Sequence, residues 1–107
     1  MIKSYHPSKS RARVRHRVKE LLFALPVDTA EAKRVLRENT GIDQQKLRRL
    51  LNDPFYLITA EELILLANFF CVSVNDIVHS ERNVNEIVAE IMERSQPIRS
   101  LVLDESL

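Results

Sequence analysis

One glycine serves the whole chain of 107 residues, and it is Gly41. A residue without a Cβ is the cheapest place for the backbone to take positive φ, and the commonest use of that freedom is to end a helix in a left-handed turn. The only other strong breakers are four prolines. So few breakers, with 45% hydrophobic residues, favour helices over a turn-rich sheet. Strand-type alternation is scarce outside the C-terminal end. The length suits a single domain with tails. The expectation is an all-α bundle of five to six helices.

Two amphipathic segments meet at Gly41. Before it, Asp28-Thr29-Ala30-Glu31 has the form of a capping box and opens a helix to about Asn39, with Ala32, Val35 and Leu36 inward. After it, Asp43 can cap a helix that Asn52-Asp53-Pro54 ends, because proline disfavours helical geometry at the residue before it. Ile42, Leu47, Leu50 and Leu51 then point inward. Gln44, Gln45, Lys46, Arg48, Arg49 and Asn52 are left outside. Amides pair in two-pronged fashion with adenine, and guanidinium groups with guanine or phosphate. These are the tips a helix needs in a DNA major groove.

The N-terminal flank is basic. Residues 1–10 contain Pro7 and three serines and read as a loose arm, the pattern turns helical from Ser10, and residues 1–13 together make a basic N-terminal arm. Val14, Val18, Leu21, Leu22 and Leu25 fall on one face of a helix that Pro26 stops. The remaining sides carry Arg11, Arg13, Arg15, Arg17 and Lys19. With Lys3 and Lys9 these make seven cations before the first acid, Glu20. A solvated face is the bland explanation; contact with phosphates is the sharper one. Residues 1–52 hold 13 Lys and Arg against 5 Asp and Glu, whereas residues 53–107 hold 3 against 10. One half suits a polyanion and the other faces solvent or a partner.

Downstream, Phe55 and Tyr56 are expected to cover the edge of the core. Thr59-Ala60-Glu61-Glu62 is a capping box that opens a helix to about Phe70, and Ser73 caps a short one to about His79. Asn83 caps a further helix on which Val84, Ile87, Val88, Ile91 and Met92 form one stripe. That stripe needs a surface, in its own domain or on a second copy, so residues 80–107 are a candidate dimerisation element and the chain a candidate homodimer. Pro97 ends this helix. Ile98 to Leu103 is a β-prone run that either pairs across a dimer or trails as a loose tail.

Several functions find no support. Cys71 has no internal disulfide partner and, within an apolar run, reads as a buried thiol. His6, His16 and His79 show no metal-ligand spacing and read as surface side chains. One glycine permits no glycine-rich phosphate loop. The chain is expected to be no enzyme and to need no cofactor, and no effector pocket is legible. Without a signal-like start or an apolar run near ~18 residues, the expectation is a cytoplasmic protein with no membrane partner.

The stretch from Leu36 through Gly41, Ile42, Leu47, Leu50 and Asn52, with the capped helices at Thr59 and Ser73, resembles the Xre/Cro-type helix-turn-helix domain of phage repressors. The resemblance covers about residues 14–79. It implies a lambda-repressor-like fold and a transcriptional regulator that binds double-stranded DNA through the second helix of the unit. Gln44, Gln45 and Arg48 become base readers; Lys46, Arg49 and Asn52 become phosphate or base contacts; Lys33 and Arg34 hold the backbone. The chain departs from the family four positions before the glycine, where a small residue is usual and Arg37 stands. The alternative is a protein–protein module, an antitoxin or adaptor, in which the same helices are scaffold.

Overall fold

The computed structural model describes residues 15–78 and 81–106, with side chains through Leu103. These residues form seven helices and no strand: α1 (Val18–Ala24), α2 (Thr29–Thr40), α3 (Gln44–Asn52), α4 (Ala60–Phe70), α5 (Val74–Ile77), α6 (Val84–Arg94) and α7 (Gln96–Ser106). The all-α expectation holds, with more helices than the five to six anticipated.

Most helix starts are set by short polar side chains that accept otherwise unpaired first-turn N–H groups. The Asp28 carboxylate accepts from Glu31 N at 3.1 Å. Thr59 and Glu62 close a full capping box, each side chain accepting from the other's backbone N–H at 3.1 Å. Ser73 and Asn83 do the same work for α5 and α6. Each such cap is worth about 1 kcal/mol. α1 differs: Arg17 precedes it without a side-chain cap. The expected helix is therefore shorter, and His16 pairs with Val78 in an isolated bridge instead of continuing it.

His16 explains that entry. It is 3% exposed, not the surface residue expected. Its backbone N–H donates to Pro54 O at 2.9 Å, and it forms an isolated antiparallel bridge with Val78. Its Nδ1 accepts from Val18 N at 3.3 Å, so its Nε2 carries the proton and donates to Asp53 O at 3.0 Å. The ring thus joins the start of α1 to the end of α3. Burial lowers its pKa, and Arg15 adds to this; the Asp53 carbonyl and charge act in the opposite direction.

The core gathers the inner faces of all the longer helices. Val18, Leu21, Leu22 and Leu25 of α1 meet α3 and α6, while α2 packs on α4 and α7. The stripe on α6 is covered from within: Ile87 and Ile91 are fully buried, and Val84, Val88 and Met92 pack on the same core. Of the two surfaces expected for the stripe, its own domain is the one that covers Ile87 and Ile91, while Val84, Val88 and Met92 stay partly exposed. Burying each isoleucine gives about 1.5–3 kcal/mol, and α1 already supplies the partner surface. Asp76, Arg82 and Glu90 tie α5 to α6, with Arg82 donating to both carboxylates.

Residues 98–103 are neither a strand nor a loose tail. They belong to α7, which buries Ile98 and Leu101. Pro97 lies in its first turn, where a missing N–H costs no helical bond. The break between α6 and α7 is Ser95, fully buried, whose hydroxyl donates to Phe69 O at 2.7 Å. That carbonyl lies in the last turn of α4 and lacks a helical partner, so Ser95 satisfies it.

Cys71 is also corrected. It is exposed, with φ 59°, and closes α4 in the left-handed conformation. Gly41 does the same for α2 at φ 74°.

Two predictions follow from these local geometries. Cys71→Gly is expected to stabilise the fold and Gly41→Ala to destabilise it, each by about 1 kcal/mol, because a side chain in the left-handed region costs roughly that much. A Cβ at Gly41 meets nothing within 4 Å, so its cost is backbone strain alone. Thermal midpoints moving in the same direction for both variants would contradict this. For His16, the folded pKa lies below the ordinary 6.5, so the unfolded chain binds the proton more readily. Stability is full above that value and falls as pH drops through it. Denaturant titrations from pH 7.5 to 5 should show this loss in the native chain and a flatter curve in His16→Gln. Parallel curves would contradict it.

Candidate nucleic-acid interface

The turn between α2 and α3 is built by three neighbouring residues. Gly41 N donates to Arg37 O at 2.8 Å and closes α2. The Thr40 hydroxyl donates to Leu36 O at 2.7 Å and accepts from Ile42 N at 3.2 Å. Thr40 is buried, so both bonds are shielded from water. Asp43 then accepts from Gln45 N at 3.1 Å and Lys46 N at 3.3 Å, which starts α3. Ile42, Leu47, Leu50 and Leu51 are buried. Gln44, Gln45, Lys46, Arg48, Arg49 and Asn52 are all exposed on the opposite side. Inward and outward residues divide as their spacing requires.

The candidate cations separate into engaged and unengaged groups. Arg34 donates to Glu31 at 2.6 Å and Glu38 at 3.0 Å, a triad whose net charge is negative. Arg17 donates to the Arg82 carbonyl at 2.9 Å and so helps fasten α6. Both side chains are thus engaged within the fold, through hydrogen bonds at its surface. Arg15 pairs with Glu20 at 3.4 Å and Lys46 with Glu62 at 3.7 Å, both with an exposed cation. Arg48 and Arg49 form no ion pair with a described residue. Arg11 and Arg13 lie outside the described residues.

Lys33 lies beside this face in an arrangement the sequence did not suggest. Its ammonium sits 5.6 Å from the centre of the Phe23 ring, and that of Lys19 sits at the same distance. Phe23 is 49% exposed. Its place off the apolar face of α1 was the available signal, since the inward positions are 18, 21, 22 and 25. Of the two aromatics expected to cover the edge of the core, Tyr56 packs on it and Phe55 is exposed.

Between α2 and α3 lies a cleft of about 470 Å³. Lys33, Arg37, Gln44, Arg48 and Asn52 line it, with Phe23, Leu47 and Leu51 supplying apolar surface. Arg37 is half-buried here.

The face thus offers amides in the first turn of α3, guanidinium groups along it and an ammonium-flanked ring at its side. Hydrogen-bond donors in that order suit an acceptor-rich polyanion. No helix among the described residues is long and apolar enough to cross a membrane. No protein-family model, curated protein or solved structure matches the chain.

Proposed function

We propose that the chain is a non-enzymatic, sequence-specific regulator that binds double-stranded DNA, with α3 in the major groove. The observation that supports this most is the outward display of Gln44, Gln45, Arg48, Arg49 and Asn52 on a helix whose opposite face is locked in the core. The helix has nine residues. At 1.5 Å per residue it is about 13 Å long and reaches about four base pairs. Two copies on adjacent half-sites would supply the remaining specificity. Ile87 and Ile91 of the α6 stripe are already buried within one chain, which leaves only the partly exposed Val84, Val88 and Met92 for such an interface.

Base reading falls to Gln44, Gln45 and Arg48 in this proposal. Lys33, Lys46 and Arg49 contact phosphates, and the basic stretch 1–13 adds sequence-independent attraction. A second reading, as a protein–protein module of the antitoxin or adaptor kind, is favoured by the exposure of Leu57 (71%) and Ile64 (55%). Salt separates the two. Groove binding weakens with a log–log slope of about −0.9 per phosphate contacted. An apolar interface barely responds.

Selection from a random duplex pool at two salt concentrations is the test. The native chain should enrich a defined motif, with affinity falling steeply between the two conditions. Gln44→Ala with Gln45→Ala should flatten the preference and keep non-specific affinity. Removal of residues 1–13 should weaken binding to all sequences alike. An enriched motif unchanged by the double substitution would overturn the assignment of base readers, and no retained duplex at low salt would overturn the function.

A further inference from the structure

The cleft between α2 and α3 has a chemistry that duplex reading does not use. Its volume of about 470 Å³ falls within the range of small-molecule sites. Leu47, Leu51, Ala30 and the Phe23 ring give it apolar surface, while Lys33, Arg37 and Arg48 bring three cations. No lining residue is acidic. Among the described residues none of these three cations is in an ion pair, whereas the neighbouring Arg34 is matched twice. Unmatched charge is therefore concentrated where the surface is concave and partly apolar. Phosphodiester chains are bound at hydrated, protruding tips. A hollow walled by Phe23 and Ala30 over the edges of Leu47 and Leu51 instead suits a compact apolar body, and three cations around it favour a body that carries negative charge.

We propose that this cleft binds a small organic anion, a planar aromatic body bearing one carboxylate or phosphate. Its ring lies against Phe23, Leu47 and Leu51, and Arg37 and Arg48 hold the oxyanion through charge-assisted hydrogen bonds. Gln44 and Asn52 are left to select polar substituents. Because Gln44, Arg48 and Asn52 also belong to the proposed DNA face, the anion and the duplex compete. That competition rests on the DNA reading; the binding of the anion does not.

The test titrates 2-naphthoate into the 15N-labelled full chain and follows amide shifts. Neutral 2-naphthamide and inorganic phosphate are run beside it. Saturable shifts at α2 and α3 are expected, with each control bound at least about tenfold more weakly. Arg37→Met and Arg48→Met should each weaken naphthoate about tenfold while helicity and thermal midpoint stay native-like. Arg94→Met, on α6, should leave it unchanged. No saturation by about 10 mM, equal affinity for the neutral amide, or equal weakening by Arg94→Met overturns the site. A labelled duplex then separates the two ideas. Naphthoate binding without any duplex binding supports the cleft and defeats the DNA reading. Duplex binding without naphthoate binding does the opposite. Binding of both with no displacement overturns the competition.

Discussion

The direction in which α3 faces depends on the few hydrogen bonds around Thr40, Gly41 and Asp43. A helix turns by 100° per residue, so one residue more or less in the connection would bring Gln45 or Lys46 toward the core and a leucine toward water. Three devices prevent that slip. Gly41 takes the left-handed conformation without a Cβ penalty. The Thr40 hydroxyl bonds on both sides of the turn. Asp43 fixes where the next helix begins. Leu47, Leu50 and Leu51 then anchor the result. The far end of α3 is held by His16, whose ring reaches the Asp53 carbonyl across 37 positions of sequence.

What was legible in the sequence follows from how local each cause is. Caps act within three residues, so Asp28, Asp43, Thr59, Ser73 and Asn83 were readable as helix starts, and the inward and outward faces of α3 could be assigned from spacing alone. Features decided by a distant partner were not readable. The stripe on α6 was visible, but not that α1 would cover it. Residues 98–103 read as β-prone because Ile98 and Val102 are β-branched. Their helix is fixed by Ser95, which reaches the end of α4, and by burial of Ile98 and Leu101. His16 read as a surface side chain because its partners at Asp53, Pro54 and Val78 are remote in sequence. Cys71 misled for another reason: with no second glycine available, a left-handed helix end falls on a residue that ordinarily signals burial.

The functional face shows the same division. The residue types on α3 were evident, but which cations are unengaged was not. Arg34 stood among the candidates until Glu31 and Glu38 were seen to match it. Arg37 has no acidic residue three or four positions away in sequence that would foretell its surroundings. In the fold it lines the opening between α2 and α3, where it joins Lys33 and Arg48 around apolar surface. Arg37 thus belongs both to the concavity and to the proposed binding of an organic anion beside the proposed DNA face.

The outer surface of α3 is the part proposed to meet duplex DNA. The most direct measurement is a titration of the 15N-labelled chain with a short duplex in dilute salt. Backbone amides from Gln44 to Asn52 and the side-chain amides of Gln44, Gln45 and Asn52 should move together, while those of α6 stay fixed. Shifts confined to α6 and α7, or none at any duplex concentration, would contradict it.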